Sequence, residues 1–153
     1  EAGRGVIQEQ TAIDGPALPW RNKALFAELM LCWELRSYRE ALARPTGGPI
    51  LFDRGVPDIV GYLRLEGLPI PDHIARAAQS CRYNRQVFIA PPWRAIYRQD
   101  AERRQDPETA ERTYEAMAAA YRDLGYLLTD LPRVDVEARA AFVNARIGAR
   151  TEA

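Results

Sequence analysis

Pro49-Ile50-Leu51-Phe52-Asp53-Arg54-Gly55-Val56-Pro57 is the stretch on which the fold class turns. A short continuous apolar run fits a buried parallel strand better than a half-exposed edge strand. The chain then turns at Gly55, and Pro57 suits the first turn of a helix over residues 56–65. Asp53 thus stands just beyond a strand end, where open parallel sheets hold their ligands.

Downstream, residues 86–90 and 126–129 read as two more strands, the first stopped by Pro91-Pro92. Helical patterns separate the three. One covers residues 69–81 with Asp72 as its cap. Residues 97–105 are Arg-rich and helical in part. Another helix starts at Asp106-Pro107-Glu108 and stops at Gly125. Asp135 caps a final helix to about residue 147. Upstream, residues 3–13 form a short helix, and Asn22 caps a long one reaching residue 43. Its apolar face is wide, so cover on more than one side is expected, and that face is also a candidate partner surface. Strands joined by long helical crossovers predict an α/β fold with a parallel sheet.

The chain has 153 residues, enough for one domain with a real core. Hydrophobic residues make up 47% and charged ones 27%, as in soluble globular proteins. Lys+Arg 21 balances Asp+Glu 21, which argues against a nucleic-acid binder. A single histidine, His73, excludes zinc sites that need two, and it reads as a surface residue rather than a base. Cys32 and Cys81 form no C-x-x-C pair. No run suits a signal peptide or a membrane span, so a cytoplasmic protein is the default expectation. Trp20, Trp33, Trp93 and Tyr62 read as packing residues. The chain opens on Glu1 rather than Met, so it reads as a fragment or a trimmed product.

Asp53 is the sharpest chemical feature. One strand-end carboxylate suffices for Mg²⁺ when phosphates and water complete its shell. Arg54 would then face a phosphate. Equally, Asp53 could cap the next helix or pair with Arg54. Arg94, Arg98, Arg103, Arg104 and Arg112 form the second feature. Arginine forks bind phosphate oxygens in pairs, so a lid over residues 94–106 is one reading. A solvated helix with ion pairs such as Asp100 to Arg104 is the other. No G-x-x-x-x-G-K-[ST] occurs, and Lys23 is the only lysine.

The segments EAGRGVIQEQ, ALPW, FAELML, ILFDRGVPDIVGYL, YNRQVFIAPPW, IYRQDAERRQD and TYEAMAAAYRDLGYLLTDLP together resemble the bacterial AAA-type predicted-ATPase family, a branch of the P-loop nucleotide-kinase-like proteins. The likeness spans essentially the whole chain. It implies a three-layer α/β fold with a parallel sheet, in one domain lacking its first βαβ unit and Walker A loop, roughly 30 residues. It implies that Asp53 is the Walker B acid holding Mg²⁺, with Arg54 and Gly55 completing D-R-G. Arg98, Arg103 and Arg104 match the Arg-rich lid on ATP. Leu131-Pro132-Arg133-Val134 matches the loop where the base packs. Glu1 matches an acid near the phosphate acceptor.

The resemblance therefore implies a Mg²⁺-dependent ATPase or small-molecule kinase of unknown acceptor, impaired without the Walker A loop. The alternative is a nucleotide-responsive regulator that binds a small-molecule or protein partner without turnover. A third reading is a degenerate fragment that persists as a homo-oligomer.

Overall fold

The computed structural model describes residues 1–44, 47–93 and 107–148. The expected lid arginines Arg94, Arg98, Arg103 and Arg104 lie outside them. Among the described residues, six helices and two strands follow in the order α1 (Ala2–Ala12), α2 (Lys23–Leu42), α3 (Val56–Leu65), α4 (Asp72–Ser80), β1 (Gln86–Ile89), α5 (Pro107–Asp123), β2 (Leu127–Asp130) and α6 (Val136–Gly148).

Local capping chemistry accounts for several starts. The Asn22 side chain accepts from Leu25 N at 3.0 Å, and Asp135 accepts from Ala138 N at 2.8 Å. Asp72 is not a cap. It is the first residue of α4, where an acid faces the positive end of the helix, and Pro71 precedes it.

The core forms where helices stack. Val6 of α1 meets Phe26, Ala27, Met30 and Leu31 of α2, and these join Val56, Ile59, Val60 and Leu63 of α3. Ile74 and Ala78 close the cluster from α4 and Ala120 from α5. Much of the apolar face of α2 is thus covered from within the chain, while Leu25 and Leu42 stay exposed. Tyr62 packs edge-on against Phe26 at 5.5 Å, and Trp33 packs on the core, but Trp20 is 65% exposed. Trp20, in the turn before α2, is therefore largely a surface residue.

Strands β1 and β2 pair in parallel, Gln86 opposite Leu127 and Ile89 opposite Asp130. Leu127 N and Leu131 N extend the ladder to Arg85 O and Ile89 O. Two expectations need correction here. Residues 49–52 do not form a strand, and among the described residues the sheet has two strands rather than a three-layer array. A strand exists only where a neighbour satisfies its backbone. Here a cleft of about 1140 Å³ stands between residues 49–54 and β1. Phe52 alone is held, by Tyr38 and Tyr83 at 6.4 and 5.1 Å, while Leu51 is 68% exposed. The α/β character and the parallel pairing stand.

Candidate functional site

The D-R-G turn is built around Arg54, whose φ of +78° lies in the left-handed region. Such a conformation costs a side-chain-bearing residue on the order of 1–3 kcal/mol, so its surroundings must hold it. They do so through Asp58 in the first turn of α3. One Asp58 oxygen accepts from Arg54 Nη1 at 3.1 Å. The other accepts from Gly55 N at 3.0 Å and from the Tyr121 hydroxyl of α5 at 2.6 Å. Arg54 Nε also lies 3.7 Å from Glu1. Burial opposes the Arg54 charge, but Asp58, Glu1 and Asp53 outweigh it and raise its pKa. Burial, with Asp58 beside it, likewise raises that of Tyr121.

Tyr83 sets the approach to α3 from the other side. Its hydroxyl accepts from Val56 N at 3.2 Å, and its ring lies 2.8 Å from where a Gly55 Cβ would stand. Glycine is required there by close approach, since its backbone is merely extended.

Two clefts open at this turn. The large one is lined by Asp53, Arg54, Pro132 and Arg133, and on its far wall by Arg139 and Arg146. Arg133 Nη2 donates to Pro92 O at 3.1 Å, and Arg139 Nε is buried without a partner among the described residues. Val134 is 38% exposed and does not line the cleft. The smaller cleft, about 240 Å³, is lined by Glu1, Trp33, Glu34, Glu40, Phe52, Asp53 and Arg54 among others. The structure thus gathers Glu1, Asp53 and Arg54 at one turn, with Pro132 and Arg133 across the larger cleft. His73 pairs with Glu28 at 2.9 Å on the surface, away from both. Among the described residues no group of three acids, cysteines or histidines could hold a metal, and both cysteines are free.

Residue by residue, sequence reading passed over Asp58, Glu34 and Arg139. Asp58 carried a signal: an acid three residues past Gly55, where a side chain can reach back to the helix start. Glu34 carried one too. It follows Phe26 and Met30 at four-residue spacing, on the face that packs inward.

Glu34 is only 5% exposed. Burial, with Asp58 and Asp53 adding and Arg54 opposing, pushes its carboxyl from 4.5 up to about 7. A raised acid contributes its full stability below its unfolded pKa and loses it as pH rises through the folded one. The span from 4.5 to about 7 corresponds to about 3 kcal/mol, at ~1.4 kcal/mol for each pH unit. Urea denaturation is therefore expected to show stability falling between about pH 5 and pH 7, with Glu34→Gln flattening that slope. An unchanged slope in Glu34→Gln would show that another group governs it.

A family model for the AAA domain matches residues 1–139. The chain belongs to that family. The match carries with it the P-loop NTPase α/β class and its general nucleotide-binding character. Neither a curated protein nor a solved structure matches the chain. The AAA-domain match takes in α1 through α5, both strands and the start of α6. No helix among the described residues is long and apolar enough to cross a membrane.

Proposed function

We propose that this AAA domain serves Mg²⁺-dependent ATP chemistry, as an ATPase or a kinase of a small-molecule acceptor. The single observation that carries the reading is the large cleft bringing Asp53 and Arg54 opposite Arg133, Arg139 and Arg146. Guanidinium groups suit phosphate oxygens, and the orphaned Arg139 Nε is a donor in want of an acceptor. Asp53 fits an ion that arrives on phosphates, because one carboxylate then suffices. A magnesium site made by protein ligands alone does not fit.

In this reading ATP·Mg²⁺ supplies the phosphoryl group. Asp53 would hold the ion through its water shell, and Arg54 would balance phosphate charge. The loop at Pro132, Arg133 and Val134 would border the base, although Val134 stands outside the cleft lining. Arg98, Arg103 and Arg104, which lie outside the described residues, would supply the further positive charge that the triphosphate needs. Glu1, 3.4 Å from Arg4 and 3.7 Å from Arg54, faces the acceptor side. A regulator that binds nucleotide without turnover would use the same cleft, and detection of a phosphorylated acceptor separates the two.

Calorimetric titration of ATP with Mg²⁺ tests the proposal, on this chain and on the same chain preceded by a Walker A segment. Binding by the extended form is expected, with Asp53→Ala weakening it about tenfold in Mg²⁺ and little in its absence. Failure of both forms to bind would overturn the proposal.

A further inference from the structure

We infer that Tyr121 is a positioning residue for the D-R-G turn: acting through Asp58, its hydroxyl ties the left-handed conformation of Arg54 to the seating of α5. Tyr121 so placed governs the residues that the ATP reading assigns to Mg²⁺ and phosphate, and only that assignment rests on the reading.

Arg54 has a φ of +78°, which a long side chain adopts only where its surroundings hold it. Asp58 is the holder, and three donors meet its carboxylate. Two of them cannot fix it relative to the rest of the fold. The Gly55 N–H stands at the start of Asp58's own helix, so that bond closes within one turn of chain. The Arg54 guanidinium belongs to the strained residue itself and is 45% exposed. The third donor, the Tyr121 hydroxyl, comes from α5 and lies 2.6 Å away, on a residue only 8% exposed. Of the three, it alone aims Asp58 from outside the turn.

The two carboxylate oxygens divide the work. Oδ2 takes both the Gly55 N–H and the Tyr121 hydroxyl, while Oδ1 takes Arg54 Nη1 at 3.1 Å. Capping a helix needs one oxygen and leaves the carboxylate free to turn about it. The hydroxyl removes that freedom and keeps Oδ1 on Arg54. Without it the cap survives, but Arg54 loses the acceptor that offsets its strain.

A second path from the same region reaches the turn. The Tyr121 ring packs edge-on against Tyr126 at 5.4 Å. The Tyr126 hydroxyl accepts from Tyr83 N at 3.3 Å, and the Tyr83 hydroxyl accepts from Val56 N at 3.2 Å. Gly55 and Val56, the two residues after Arg54, are thus both held by side chains that lead back to the end of α5 and the entry to β2. Asp53 and Arg54 line both clefts, so the seating of α5 on α3 is felt at the wall the clefts share.

Amide hydrogen exchange on the whole chain, without nucleotide, tests this. Tyr121→Phe deletes the hydroxyl and keeps the ring. Protection of the Gly55 N–H is expected to fall about tenfold, the worth of a hydrogen bond to a charged acceptor. Leu63 in α3 and Ala118 in α5, both buried, should keep their rates. Asparagine visits the left-handed region readily, so Arg54→Asn added to Tyr121→Phe should restore most of the lost Gly55 protection.

Unchanged Gly55 protection in Tyr121→Phe would overturn the inference. Equal acceleration at Leu63 and Ala118 would do so too, since the hydroxyl would then be a general tie between the helices. A double variant with no recovery would show that the strain at Arg54 is not what Tyr121 opposes, with the same consequence. Failure of the ATP titration would leave these exchange rates untouched and remove only the ligand that the positioned turn serves.

Discussion

Replacing Asp58 by alanine is expected to cost about 3 kcal/mol in urea denaturation. Three groups lose their acceptor at once. Gly55 N at the start of α3 loses its cap, the Tyr121 hydroxyl loses a 2.6 Å bond, and Arg54 loses its 3.1 Å partner. The Tyr121 loss weighs most. Tyr121 is 8% exposed, and a buried donor left unsatisfied carries about 1–3 kcal/mol of desolvation cost. The lost cap adds about 1 kcal/mol. The exposed Arg54 pair adds little by itself, since its guanidinium is 45% exposed and solvent screens it. Asp58→Asn retains an acceptor oxygen and should lose less.

A double-mutant cycle with Tyr121→Phe separates the contributions, and a coupling of about 1 kcal/mol or more is expected. A loss under about 1 kcal/mol in Asp58→Ala would mean that the turn is held by the aromatic cluster of Tyr38, Phe52 and Tyr83 instead. The Asp58 variant has a functional reading as well. Asp58 raises the Glu34 carboxyl, so its removal should lower the pH at which Glu34 titrates.

Gly61→Val is expected to lose about 3 kcal/mol, through the contact between α3 and α5. A Cβ at Gly61 would lie 2.6 Å from Met117 Sδ, 3.2 Å from Met117 Cα and 3.3 Å from Ala116 O. The sulfur belongs to a flexible side chain and can move aside. The Cα and carbonyl belong to the backbone of α5, so the helices themselves must separate. That separation would pull Tyr121 of α5 away from Asp58 of α3, linking this seam to the site. Gly61→Ala is the finer test. In a free helix alanine gains about 1 kcal/mol over glycine, so a net loss in Gly61→Ala would isolate the cost of crowding. A stabilised alanine variant would show that α5 yields without loss.

Stretches of a few residues determined much of this protein by themselves. Asn22 and Asp135 cap helices because a side-chain oxygen three residues ahead of a free N–H needs nothing else. Residues 86–90 and 126–129 are apolar runs flanked by proline and glycine, and they form strands within a residue of the expected bounds. The D-R-G segment and its companions also carried the family likeness, which the AAA match over residues 1–139 supports.

Other properties depend on what stands nearby in space. Residues 49–52 have the composition of a strand, but no composition supplies the neighbour that a strand must bond. With a cleft on that side, they carry no regular secondary structure. Glu34 is one glutamate among several on α2, and only the packing of α1, α3 and the D-R-G turn around it removes its water and raises its carboxyl. Asp58 becomes a hub because α5 delivers Tyr121 to it from 63 positions away. Arg139 is half-buried at a cleft wall, and its covered Nε finds no partner among the described residues. Local pattern decides which elements form, since their hydrogen bonds close within a few residues. Burial, partnering and charge at the site are sums over the whole fold, and only the tertiary structure completes them.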